Sequence, residues 1–166
     1  MARLQRILLM LFVISVCAGC DQSTKSMASS HLEYNKISSY AGDMFRLHYI
    51  KNKGAFLGFG DSLSDKQRFI VFTILVSFIL AAILIFTIFN TALTTFSIVA
   101  YSIILGGGLS NLYDRIANNG AVIDFLNVGI GPLRTGIFNV ADVLIMVGVV
   151  MLLVHAQIFK QNKNNL

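Results

Sequence analysis

Charge is scarce in this chain: only 13 % of its 166 residues are Asp, Glu, Lys or Arg, about half the share found in soluble domains. That leaves too little polar surface to coat a soluble globule. With 55 % hydrophobic residues and a mean hydropathy of +0.72, the composition is that of a membrane protein. Tryptophan is absent and proline occurs once. Without a charge bias, proline richness or a glycine period, disordered and collagen-like chains are excluded. The two cysteines, Cys17 and Cys20, fall inside the first apolar segment, which argues against a disulfide staple, a zinc site or redox chemistry. Acidic residues number eight against 13 basic ones, a net charge of +5. The basic residues are dispersed, with no run interleaved with exposed aromatics, so a nucleic-acid partner is not expected. The length fits one domain, residues 1–166, a small bundle of membrane helices with modest loops.

Four apolar spans can be read. No charged residue occurs from Phe69 to Tyr113, and the polar residues Asn90, Thr91, Thr94 and Thr95 divide this run into a helical hairpin. Phe69 to Phe89 reaches about 31 Å as a helix, the thickness of a hydrocarbon core, and Phe96 to Leu112 forms the return span. Val143 to Phe159 and Ile7 to Gly19 are the other two, with Asp21 expected to close the first and Asp114 the third. Arg3 and Arg6 before the first span, and Lys160 and Lys163 after the last, predict cytoplasmic termini. The segments from Asp21 to Arg68 and from Asp114 to Phe138 then face outward.

Two outward segments read as strands. In Phe45-Arg46-Leu47-His48-Tyr49 apolar and basic residues alternate, a turn signal follows at Asn52, Lys53 and Gly54, and a second apolar run reaches Phe59, a hairpin pattern. Ala121, Val122 and Ile123 favour a strand that ends at Asp124.

Acids near a membrane core are costly unless paired, hydrated or functional, and four gather at span ends: Asp21, Asp114, Asp124 and Asp142. Asp124 and Asp142 are each flanked by apolar residues and have no basic neighbour in sequence. Burial raises a carboxyl pKa, and two carboxyls brought together share one proton. Such a pair hydrolyses amides without a metal or a nucleophilic side chain. Taken singly, Asp142 reads as a helix cap, three residues after Asn139, and Asp124 as a loop-anchoring acid; their coincidence at one membrane face points to a functional pair.

Gly106, Gly107 and Gly108 precede Asn111, Asp114 and Arg115, and Gly108, Asn111 and Arg115 share one helix face. Close helix packing explains the glycines; approach of a substrate backbone is the functional alternative, with Asn111 and Arg115 orienting the acids. Asp21 and Lys25 have the spacing of a helical ion pair. Asn52 and Gly54 suit a turn with positive φ. His155 reads as structural.

These residues carry a resemblance. Asp-Gln-Ser-Thr-Lys from Asp21, Asn-Lys-Gly-Ala from Asn52, Gly-Gly-Gly-Leu-Ser-Asn-Leu-Tyr-Asp-Arg from Gly106, Val-Ile-Asp-Phe from Val122 and Phe-Asn-Val-Ala-Asp from Phe138 follow the order and spacing of the bacterial signal peptidase II family, the intramembrane aspartic peptidases called lipoprotein signal peptidases. The resemblance implies an all-α bundle of four transmembrane helices with a small extracytoplasmic β-rich cradle, in the bacterial inner membrane. It also implies cleavage of diacylglyceryl-modified prolipoproteins before the lipobox cysteine, by a catalytic dyad of Asp124 and Asp142. Asp21, Lys25, Asn52, Asn111, Arg115 and Asn139 would support that dyad, with Asn52 and Gly54 binding the peptide. No cofactor is expected; the partners are the substrate and membrane lipids, and the protein is expected to be monomeric. Phe56-Leu57-Gly58, and a loop before Phe138 that lacks an aromatic, depart from the family pattern.

Two other functions fit a small polytopic protein: a proton-coupled carrier, or a non-catalytic assembly factor using the glycine-rich span. The gathering of the acids at one face argues against a relay across the bilayer. Cys17-Ala18-Gly19-Cys20 mimics a lipoprotein signal, but the first segment is expected to be retained as a helix.

Overall fold

The computed structural model describes residues 1–54 and 63–164, with side chains as far as Ile158. Among these, four helical stretches are long and apolar enough to cross a membrane: Arg3–His31, Asp65–Phe89, Thr95–Ala117 and Val140–Ile158. The first is α1 and the third α4. The second comprises α2 (Asp65–Phe69), a π-helical turn (Ile70–Leu75) and α3 (Val76–Phe89). The fourth belongs to α5 (Val140–Asn164).

The centre of the bundle is α4: 61 % of its apolar window is buried, against 11–22 % for the other three. Its three consecutive glycines explain why. Successive residues on a helix are about 100° apart, so the three face different neighbours. A methyl group on Gly106 would lie 2.6 Å from Cys17 Cβ of α1, on Gly107 2.6 Å from the Ala141 carbonyl oxygen of α5, and on Gly108 2.6 Å from Leu80 Cδ2 of α3. The glycines therefore serve close helix packing, with Gly108 against Leu80. The Gly107 contact is with main chain, which cannot rotate aside. Gly107→Ala is expected to cost about 1–3 kcal/mol and to move the start of α5. Thermal unfolding in detergent, alongside Gly19→Ala at a position with open space, checks this.

Helix ends differ from those read in the sequence. Asp21 does not close the first span, because α1 runs on to His31 with Asp21, Lys25 and Ala28 on its buried side. Nor does Asp114 close the third, which continues to Ala117. Both acids stay inside their helices because each finds polar partners across the bundle. At the other end, Thr94 caps α4 by accepting from the Ser97 amide. His155 bonds the Thr94 hydroxyl and stacks on Phe96, a structural role.

A four-stranded antiparallel sheet adjoins α1 and α4, in the order β1 (Ile37–Tyr40), β2 (Phe45–Asn52), β3 (Val122–Ile130), β4 (Leu133–Arg134). The strand at Phe45–Tyr49 is present, but it pairs with β1 and β3. The second arm of the expected hairpin, to Phe59, and the Phe56-Leu57-Gly58 departure lie outside the described residues. β3 does not end at Asp124; it continues to Ile130 because it stays paired with β2 as far as Val128 and with β4 at Gly129 and Ile130. The β1–β2 turn is tied to β4 by Asp43, which accepts from Arg46 and Arg134. The Arg46 hydrogen bond holds the Asp43 carboxyl well below the usual carboxylate range.

Candidate active site

Three separate pieces of chain converge where the sheet meets α4 and α5. Alternation along β3 turns Phe125 one way, into an apolar pocket beside Ala28 and Leu32, and Asp124 the other. Register places Asn52 opposite Val122 and Ile50 opposite Asp124, so Asn52 and Asp124 are diagonal cross-strand neighbours on one face. Phe138 accepts from the Phe125 and Leu126 amides, which lays Asn139 beside Asp124. Asn139 then begins α5.

The capping box at Asn139 is complete. Asn139 N–H donates to Asp142 Oδ2 at 3.1 Å, and Asp142 N–H donates to Asn139 Oδ1 at 3.0 Å. Asp142 is nevertheless more than a cap. Its Oδ1 accepts from Asn111 Nδ2 at 2.9 Å, and the carboxyl lines a cavity of about 220 Å³ together with Asp124, Asn52, Asn111, Arg115 and Asn139. Asp142 is thus both a helix cap and a wall of the cavity that Asp124 also lines.

Asp124 is 3 % exposed. Its Oδ2 accepts from Asn52 Nδ2 at 2.8 Å and its Oδ1 from Asn139 Nδ2 at 2.7 Å. The asparagines are oriented by their other contacts. Asn52 Oδ1 accepts from the Gly54 amide, so its NH₂ faces the acid. Neither Asn52 nor Gly54 is among the described residues with positive φ; the side-chain-to-backbone bond makes the turn instead. Asn139, fully buried, spends both amide hydrogens on Asn111 Oδ1 and Asp124 Oδ1. It therefore touches both acids, through its side chain on one and its backbone on the other.

Behind this cavity lies an ionic cluster. Lys25 Nζ reaches Asp21 Oδ2 at 2.6 Å, Asn111 Oδ1 at 2.7 Å and Asp114 Oδ2 at 2.9 Å, one acceptor for each ammonium hydrogen. Asp21 also accepts from the Ala141 amide and from Ser110 Oγ, and so joins α1 to the first turn of α5. Asp114 binds the Ile123 amide and Gln22 Nε2, which ties β3 to α4. Gln22 and Ser110 were not anticipated. The available signals were their places inside the Asp-Gln-Ser-Thr-Lys and Gly-Gly-Gly-Leu-Ser-Asn motifs, and Ser110 lying four residues before Asp114. Arg115 lines the cavity, donates to the Gly54 carbonyl at 3.3 Å, and lies over the Phe72 ring of the π-helical turn.

Burial pushes the Asp124 carboxyl up to about 6, and the nearby Asp142 adds to the rise, while the hydrogen bonds from Asn52 and Asn139 oppose it. A carboxyl at that value exchanges a proton near neutral pH, and a second acid in the same cavity can hold the complementary protonation state. Stability carries the sign of this shift. A raised folded-state value contributes stability that is complete below the ordinary value of 3.8 and is lost as pH rises through about 6. The stability of the parent relative to Asp124→Asn is therefore expected to fall by about 3 kcal/mol between about pH 3 and about pH 8. Chemical denaturation of both proteins at each pH measures the gap, and a gap constant with pH refutes the expectation.

Comparisons with known proteins identify the family. The profile of the family described as signal peptidase (SPase) II matches residues 13–158. The lipoprotein signal peptidase of Syntrophus aciditrophicus (strain SB) is 32 % identical over 148 residues, covering 89 % of this chain and 91 % of that protein. The one from Francisella tularensis subsp. novicida (strain U112) is 34 % identical over 158 residues, covering 92 % and 94 %. A bacterial membrane enzyme structure determined by the in meso method at 2.3 Å resolution superposes with a TM-score of 0.76 at 29 % identity, over 96 % of this chain and 91 % of that one. A second, at 1.9 Å, gives 0.71 at 27 % identity over 92 % of each. With a family match over residues 13–158 and relatives aligned over 89 % and 92 % of its length, the chain belongs to the signal peptidase II family.

Proposed function

We propose that this protein is an intramembrane aspartic endopeptidase that removes signal peptides from diacylglyceryl-modified prolipoproteins, cutting before the lipobox cysteine. The single observation that carries the reading is the pairing of Asp124 and Asp142 in one cavity, each held between two donors. With one proton shared by the dyad, the ionised carboxyl removes a proton from a water whose oxygen adds to the scissile carbonyl carbon. The protonated carboxyl donates to the carbonyl oxygen. As the tetrahedral species collapses, one of its hydroxyls returns its proton to the dyad, the C–N bond breaks, and the leaving nitrogen takes a proton from the dyad, so the starting protonation is restored. Asn52, Asn111 and Asn139 hold the carboxylates, and Arg115 holds the Gly54 carbonyl at the edge of the site.

An apolar groove supports the lipid part of the proposal. It measures about 410 Å³, is lined by Thr135, Phe138, Val143, Ile145 and Met146, and shares Asp142 as a wall with the polar cavity. An acyl chain in this groove would lie next to the peptide bond under attack. In this reading the protein is a monomer of the bacterial inner membrane with both termini cytoplasmic and the sheet outside. Incubating the purified protein with lipidated and unlipidated preprolipoprotein tests the proposal: cleavage of the lipidated form only is expected, and cleavage of neither refutes it.

A further inference from the structure

At the end of the bundle farthest from the acidic pair, a small cavity is lined by two arginines, three apolar side chains and a threonine. It measures about 210 Å³, and its walls are Met1, Arg3, Arg6, Ile88, Phe89 and Thr91. Arg6 is only 6 % exposed. Its Nη1 donates to the Thr87 carbonyl at 3.2 Å and the Asn90 carbonyl at 2.6 Å, which fastens the end of α3 to α1. A guanidinium carries five N–H donors, so these two bonds leave Nε and Nη2 unspent. Arg3 places its guanidinium 4.5 Å from the Phe89 ring centre. Among the described residues no carboxylate forms an ion pair with either arginine. The first turn of α1, which starts at Arg3, contains no acid, so no carboxylate of its own offsets the positive end of its dipole.

From this juxtaposition we infer that the cavity holds the phosphodiester of a membrane phospholipid. Two guanidiniums and a helix N-terminus favour a planar or tetrahedral oxyanion, which they bind through parallel N–H bonds. The apolar side of the site selects a lipid over a free ion. Phe89 is 61 % exposed, and Ile85, one turn away on the same face of α3, is 58 % exposed. They offer a track for an acyl chain leaving the headgroup. A nearly buried cation without a counter-ion at the rim of a bilayer is costly alone and inexpensive beside a lipid phosphate. The site is independent of the peptidase reading, since it shares no residue with the Asp124–Asp142 cavity.

The test uses the full-length protein, delipidated in detergent and titrated by native mass spectrometry. The ligands are phosphatidylglycerol, diacylglycerol with the same chains, and inorganic phosphate. Phosphatidylglycerol is expected to bind at least about tenfold more tightly than either of the others. Arg3→Gln and Arg6→Gln are each expected to weaken it by about tenfold, while Lys51→Gln, an exposed basic residue on β2, leaves it unchanged. Arg6 also anchors α3, so if Arg6→Gln fails to fold, Arg3→Gln, whose side chain is exposed, decides the matter. Equal binding of phosphatidylglycerol and diacylglycerol overturns the inference, as does inorganic phosphate binding as tightly as the lipid, or undiminished lipid binding by Arg3→Gln.

Discussion

Asp142→Asn is expected to lower the cleavage rate by at least about 10³-fold, the upper part of the range for loss of a positioned acid or base. The chemical loss is clear, since an amide neither accepts nor returns a proton near neutral pH. The site adds a second effect. Both oxygens of Asp142 accept, one from Asn111 Nδ2 and one from the Asn139 backbone, so an amide NH₂ there must face a donor on one side. Asp124→Asn meets the same conflict between Asn52 Nδ2 and Asn139 Nδ2. Neither replacement is therefore a silent isostere, and single-turnover cleavage should be measured beside thermal unfolding at the same pH. Retained cleavage by a folded Asp142→Asn protein would remove the acidic pair from the mechanism.

Lys25→Met is expected to destabilise the protein by about 3–5 kcal/mol, the penalty for removing one partner from a buried ionic group. Lys25 and Asp21 are 1 % and 0 % exposed, so Asp21, Asp114 and the Asn111 carbonyl would each lose a buried partner. Activity should fall beyond the loss of folded protein. Lys25 and Asn139 both donate to Asn111 Oδ1, and this fixes the Asn111 NH₂ toward Asp142. Without the ammonium, one of the two bonds that hold the amide in that orientation is gone. Adding Asp114→Asn should recover part of the stability, because one uncompensated carboxylate then disappears. Unfolding curves of the single and double variants measure both effects, and a single variant as stable as the parent contradicts the expectation.

The apolar runs made the four spans legible, because little besides a bilayer accounts for so long a stretch without charge. Their ends were not legible. Asp21 and Lys25 look like a boundary when only the neighbours in sequence are considered, yet their partners Ser110, Asn111 and Asp114 stand on another helix. A polar residue marks the end of a span only if it has no polar partner inside, and that partner is a tertiary fact. β1 escaped for a different reason: Ile-Ser-Ser-Tyr is a mostly exposed edge strand with no apolar alternation. Asn52, Asn111 and Asn139 were recognised through their motifs, but their orientations arise from bonds to Gly54, Lys25 and Asp142 that no spacing reveals.

The bond from Asp21 to the Ala141 amide has a bearing on how the molecule matures. The last helix contributes Asp142 and Asn139, and its opening turn is completed by a side chain from the first helix. Under the proposed mechanism, the earlier spans enter the bilayer during synthesis without a working centre, and hydrolysis waits until α5 packs against α1.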